Sequence, residues 1–140
     1  MQIADIMTPS LVTAKATDTV RRALSLLEDQ DIRHLPVIDD ERRLLGLVSD
    51  RDLREYRLPV IEELDHPEQA DGLMDTALSS VMSTDVVSVD SGEDVIAACD
   101  LMIEFRIGAL PVLDRTTAEL VGIVSYIDLL RVARELLAAE

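Results

Sequence analysis

The sequence predicts an α+β fold built from two copies of one unit, each running strand, helix, strand, strand, helix. Three observations carry that expectation. The stretch from Leu44 to Tyr56, LLGLVSDRDLREY, is echoed from Leu120 to Val132 as LVGIVSYIDLLRV. Sliding the chain by 75 positions (82 − 7) lays Met82 on Met7, Val87 on Val12, Ala98 on Ala23 and Leu110-Pro111-Val112 on Leu35-Pro36-Val37. Past one inserted residue in the 115–119 loop the shift becomes 76 (122 − 46), and Gly122, Ser125 and Asp128 fall on Gly46, Ser49 and Asp52. Register kept across two separated blocks marks a tandem duplication.

Each copy opens with a short turn, Ile6-Met7-Thr8 or Val81-Met82-Ser83, that leads into a brief strand ending at Thr13 or Ser88. A helix follows. Its apolar positions 20, 23, 24 and 27, matched by 95, 98, 99 and 102, give the i, i+3, i+4, i+7 stripe of an amphipathic helix. Thr17 or Asp18 is expected to cap the first copy, and Ser91 with Asp94 the second. His34 to Ile38 and Ala109 to Leu113 read as strands whose proline favours an edge or a strand end. A polar turn then returns the chain into the glycine-bearing strand and a second helix. Between the copies, Arg57 to Leu78 carries two prolines and six acids. It reads as a solvated linker with a helical turn near Val60 to Leu64. The tail from Leu129 to Ala139 reads as one more amphipathic helix. The expected domains are 1–56, a linker 57–78, and 79–140 with the C-terminal helix.

Hydrophobic content of 48% with 2% aromatic implies an aliphatic core. The 13 basic and 28 acidic residues leave a formal charge of −15, which repels nucleic acid and anionic lipid. Cys99, the single cysteine, has no intrachain partner, which fits a reducing compartment. It falls on the apolar helix face and reads as a small buried hydrophobe. The opening MQIADIMTP has an acid where a signal peptide needs positive charge, and no apolar run approaches the ~18 residues of a membrane span. The expectation is a soluble, cytoplasmic protein.

Chemistry concentrates at the two Ser-x-x-Asp corners, Ser49 to Asp52 and Ser125 to Asp128. One reading is purely structural: Ser at a helix start with an acid three residues on is a capping box. The other is a ligand site. A strand-to-helix corner presents N–H groups, a hydroxyl and a carboxylate together, and these suit a phosphate and the two hydroxyls of a ribose. Both readings stay open at this point. His34 is a candidate phosphate donor or pH-sensitive contact, and His66 reads as solvated. With two histidines and one cysteine there is no metal-ligand spacing and no nucleophile–base pair. Neither a Walker nor a dinucleotide glycine loop is present. The chain reads as no enzyme.

Two copies of I-M-T…V…A…L…I-R-H-L-P-V-I-D…G-L-V-S-x-x-D-L resemble the cystathionine-β-synthase (CBS) domain, over about residues 4–56 and 79–132. A pair of these domains is the unit called a Bateman module, and the chain is similar to stand-alone bacterial two-CBS proteins, including those of the acetoin-utilisation type. The resemblance implies halves related by a pseudo-twofold axis, clefts that bind adenosine-bearing ligands, and association into flat dimers. It implies AMP, ADP, ATP or S-adenosylmethionine as candidate ligands, with no obligatory cofactor.

Carried onto this sequence, the family pattern sets Asp52 and Asp128 on ribose hydroxyls and Ser49 and Ser125 near the phosphate. The backbone at Val12-Thr13 and Val87-Ser88 would hold the adenine edge, helped by the segments before Pro36 and Pro111. The first site is thus Val12, Thr13, Arg33, His34, Leu35, Pro36, Ser49, Arg51 and Asp52. The second is Val87, Ser88, Gly108, Ala109, Leu110, Pro111, Ser125 and Asp128. Arg33, His34 and Arg51 surround the first corner, where the second has Gly108, Ala109 and Ile127, so phosphate is expected to favour the first. The implied function is a regulatory nucleotide sensor, a homodimer acting on an unidentified partner protein. The alternative is a structural dimerisation or docking module.

Overall fold

The computed structural model describes residues 1–9 and 12–140. In chain order the elements are β1 (Thr8–Pro9), α1 (Val20–Asp29), β2 (His34–Ile38), β3 (Leu44–Ser49), α2 (Asp50–Leu53), α3 (Val60–Asp65), α4 (Pro67–Met74), β4 (Val89–Asp90), α5 (Val95–Phe105), β5 (Ala109–Leu113), β6 (Leu120–Ser125) and α6 (Tyr126–Ala138). The mixed helix-and-strand class follows the expectation. Packing divides the chain into Val12–Val86 and a unit made of Met1–Leu11 with Val87–Glu140. These units differ from the expected division at residues 56 and 79. The opening segment packs with the second repeat, and the segment just after the linker stays with the first.

Within Val12–Val86, β2 and β3 pair antiparallel, with His34 opposite Ser49 and Val37 opposite Gly46. Ala14 bridges Val37 in parallel on one side, and Ser83 bridges Leu47 antiparallel on the other. The Ala14 bridge consists of Ala14 N–H to the Pro36 carbonyl and Ile38 N–H to the Ala14 carbonyl, both 2.9 Å. It therefore never calls on the N–H that Pro36 lacks, which explains a proline in mid-strand. The expected strand ending at Thr13 is reduced to this bridge, one residue later. The α1 stripe of Val20, Ala23 and Leu27 closes the core with Leu35, Val37, Val48, Leu53 and Leu78. Its N-cap is Thr19, whose hydroxyl accepts from Arg22 N at 3.2 Å. Thr17 and Asp18 do not cap it, because Asp18 instead accepts from Lys15 N at 2.8 Å in the preceding turn.

The 57–78 segment is more ordered than the single helical turn expected. Pro67 sits at the start of α4, where its missing N–H costs nothing. Arg21 of α1 reaches Asp71 and Asp75 at 3.3 and 3.4 Å. Leu78 N–H bonds the Asp18 carbonyl at 2.8 Å, and its side chain is fully buried. On α3, Val60, Ile61 and Leu64 remain exposed.

The other unit has the strand order β1-β6-β5-β4, the same order that the two bridges give around β2 and β3. Its core holds Ile3, Val89, Ala98, Met102, Leu110, Val112 and Val124. The second brief strand lies at Val89–Asp90 rather than ending at Ser88. Asp94 caps α5 by accepting from Ile96 N at 2.9 Å, so Ser91 is not the cap. Cys99 is half-buried rather than buried. The tail is not a separate helix: α6 runs unbroken from the second Ser-x-x-Asp corner.

Gly122 and Gly46 explain how the end segments reach their strands. A Cβ on Gly122 would lie 2.7 Å from Met7 Sδ and 2.8 Å from the Thr8 carbonyl. One on Gly46 would lie 2.8 Å from both Met82 Sδ and the Ser83 carbonyl. Only glycine admits so close a strand. The left-handed residues are repeated in the same way. Asp31 and Arg106 end α1 and α5, and Arg42 and Ala118 sit in the two hairpin turns.

Candidate functional site

The first corner forms where β3 meets α2. Ser49 is extended (φ −108°, ψ 160°), and its hydroxyl accepts from Asp52 N at 3.1 Å. Asp52 returns the bond through Oδ2, which accepts from Ser49 N at 2.9 Å. The box satisfies two helix-start donors and spends one carboxylate oxygen. No hydrogen bond to Asp52 Oδ1 is formed among the described residues. The Arg33 carbonyl accepts from Asp50 N at 3.1 Å, tying the entry to β2 onto the helix start. His34 stands opposite Ser49. Burial pushes its pKa below the ordinary value, the Asp52 charge opposes that shift, and the Arg33 charge adds to it.

The Ala14 bridge fixes where the remaining first-site residues lie. Val12 and Thr13 precede it in a parallel register, so they run toward the His34 end of β2 and are half-buried. Leu35 and Pro36 have fully buried side chains, which leaves only their main chain for a ligand. The Arg33 and Arg51 side chains are exposed.

The second corner repeats the skeleton. The Ser125 hydroxyl accepts from Asp128 N at 3.3 Å, and Asp128 Oδ2 accepts from Ser125 N at 2.9 Å. The Gly108 carbonyl accepts from Tyr126 N at 3.0 Å, the counterpart of the Arg33–Asp50 tie. Gly108 lies against the Tyr126 ring, whose Cδ1 would be 3.3 Å from an added Cβ. Ala109, Leu110 and Pro111 are buried, while Val87 and Ser88 are half-buried ahead of β4.

The surroundings of the second carboxylate depart from expectation. Asp128 is only 5% exposed. Its Oδ1 receives the Thr8 hydroxyl at 3.4 Å and lies 3.7 Å from Arg131 Nη1. The sequence predicts only apolar or small residues here, whereas the structure sets a cation and a hydroxyl beside Asp128. Arg131 was readable, being one helical turn beyond Asp128. Thr8, 120 positions away, left no local signal.

Both corners therefore cap a helix. What they can do beyond capping is accept hydroxyl donors through a second carboxylate oxygen, open at Asp52 and covered at Asp128. Among the described residues no group of three or more His, Cys, Asp or Glu could hold a metal ion, and no helix is long and apolar enough to cross a membrane.

Comparison with known proteins points the same way as the repeat. The CBS domain family model matches residues 3–59 and 78–135. A putative acetoin utilization protein of Vibrio cholerae is 35% identical, with a TM-score of 0.78, over 99% of this chain and 93% of that one. CBSX2 of Arabidopsis thaliana, solved in complex with AMP, is 29% identical, with a TM-score of 0.78, over 96% and 97% of the two chains. The CBS domain pair of protein MJ0100, solved with 5′-methylthioadenosine and S-adenosyl-L-methionine, is 22% identical and shares the fold (TM-score 0.76, over 96% of this chain and 97% of that one).

Proposed function

The chain belongs to the CBS domain family, and from that premise we propose that it is a regulatory module that senses an adenosyl ligand: AMP, ADP, ATP or S-adenosylmethionine. The observation that carries the reading is Asp52. Its Oδ2 closes the capping box while Oδ1 stays open, at a corner that also gathers His34, Arg33 and Arg51. An ionised carboxylate accepts from both hydroxyls of a ribose, and charge-assisted bonds to a phosphate are worth about 1.5–3 kcal/mol each. The AMP complex of the Arabidopsis relative supports an adenine nucleotide as the ligand. No catalytic step is assigned to the chain. Binding would shift packing and thereby the affinity for a partner protein, a coupling of about 1–3 kcal/mol, in a cytoplasmic homodimer.

The second reading, a dimerisation or docking module, is favoured by one observation. Both Ser-x-x-Asp steps form complete capping boxes from their own side chains and main chain. Thermal unfolding with AMP, ADP, ATP, S-adenosylmethionine and cyclic dinucleotides separates the two. A ligand at about 100 times its Kd adds roughly 2.7 kcal/mol. A shift with an adenosyl compound supports the sensor, and no shift with any of them supports the structural module.

A further inference from the structure

Although the two corners share a main-chain skeleton, the outer oxygen of each carboxylate meets a different fate. Asp52 Oδ1 has no hydrogen-bond partner among the described residues. Asp128 Oδ1 faces the Thr8 hydroxyl at 3.4 Å and Arg131 Nη1 at 3.7 Å. These two groups are of the kind a ligand would offer that oxygen: a hydroxyl donor and a cation. Both approaches are longer than a well-made charged hydrogen bond, so both can yield to a better donor. Arg131 lies three residues after Asp128 on α6, and helical side chains lean toward the N-terminus, which carries its guanidinium back over the corner. Its equivalent in the first repeat is Glu55 (131 − 76), which bears the opposite charge. Thr8 arrives on β1, held against β6 by the Thr8–Ile123 register.

We infer that Thr8 and Arg131 are built-in occupants of the second carboxylate. They are specificity-determining residues that close the second ribose position, so that the first fills before it. This rests on the reading of the Ser-x-x-Asp corners as ribose positions. A nucleoside reaching Asp128 must replace the Thr8 hydroxyl and loosen Arg131, a cost that Asp52 does not impose. The second position therefore discriminates against ligands that bring only a ribose and a base.

Adenosine is the probe, because it lacks the phosphate that Arg131 would otherwise attract. In an Asp52→Ala background, which silences the first corner, calorimetry compares Thr8 and Arg131 intact with Thr8→Val plus Arg131→Met. Removing the occupants is expected to tighten adenosine binding about tenfold, which is ~1.4 kcal/mol. Unchanged or weaker binding overturns the inference. The reciprocal variant, Glu55→Arg at an exposed position, keeps the test decisive if the first pair folds poorly. It is expected to weaken adenosine at the first corner about tenfold, and equal or tighter binding counts against the inference. Failure of the wild type to bind adenosine and every one of AMP, ADP, ATP and S-adenosylmethionine overturns the nucleotide reading itself. Wild-type binding that neither set of variants alters overturns only the roles of Thr8 and Arg131.

Discussion

Replacing Gly122 with alanine strikes the contact that joins the opening segment to the second repeat. An added Cβ would sit 2.7 Å from Met7 Sδ and 2.8 Å from the Thr8 carbonyl, where ordinary contact begins at 3.4 Å. The thioether can swing aside. The carbonyl belongs to β1 and can move by the required 0.6 Å (3.4 − 2.8) only if β1 parts from β6. Overpacking of this kind costs about 1–3 kcal/mol, so Gly122→Ala should destabilise the protein by about 2 kcal/mol. It should also stretch the Thr8–Asp128 contact beyond its 3.4 Å. The internal control is Gly72→Ala on α4, where no atom lies within 4 Å. There the gain in helix propensity should stabilise by up to about 1 kcal/mol. Urea unfolding at one fixed protein concentration reads both values. The reasoning is refuted if Gly122→Ala lies within about 0.5 kcal/mol of wild type, or if the two substitutions share a sign.

Asp52→Ala should weaken AMP binding about tenfold or more, since ~1.4 kcal/mol is one decade, while Asp128→Ala leaves the tight event nearly unchanged; equal losses in calorimetry would show equivalent or coupled sites. His34, its pKa lowered chiefly by burial, binds fewer protons folded than unfolded. Its contribution to stability is therefore present above the ordinary value of 6.5 and lost as pH falls through the lower folded value. The loss should shrink in His34→Gln, and an identical pH profile for the variant would remove His34 from the account. The chain should be a homodimer by light scattering, because α5 and α6 expose Ile96, Ile103, Leu130, Leu136 and Leu137; the 15.5 kDa monomer mass at micromolar concentration would contradict that.

Much of this fold was legible because its signals are local. The α1 stripe at Val20, Ala23 and Leu27 follows the helical period. Ser49-x-x-Asp52 and Ser125-x-x-Asp128 form the capping boxes that their spacing describes. Part of what the sequence does not show depends on distant partners, and part on local competition. β1 is two residues long, too short for any period, and it exists because Gly122 lets it approach β6. The cap of α1 moved to Thr19 because Asp18 was already engaged by Lys15 N, a competition that composition does not reveal. The helices of the 57–78 segment were underestimated for a related reason. Val60, Ile61 and Leu64 stay exposed, so no buried stripe announces α3, and Pro67 marks a helix start as readily as a loop.

The internal duplication separates residues that hold the fold from residues free to specialise. Features repeated at matching positions all satisfy or shape the main chain: the Arg33–Asp50 and Gly108–Tyr126 ties, the two capping boxes, the close-approach glycines 46 and 122, and the left-handed pairs. Each meets a requirement that any side-chain decoration of the corner would still impose. The residues that differ, Asp50 against Tyr126, Arg51 against Ile127 and Glu55 against Arg131, all lie in the first turns after the serine. Their side chains are exposed, so folding places little demand on them. At that place a change of charge alters what can approach the carboxylate and leaves the skeleton as it was. Two identical ribose positions would answer one ligand at one concentration. On the proposed reading, an open carboxylate beside basic residues and one covered by Thr8 and Arg131 would give the same backbone two different thresholds.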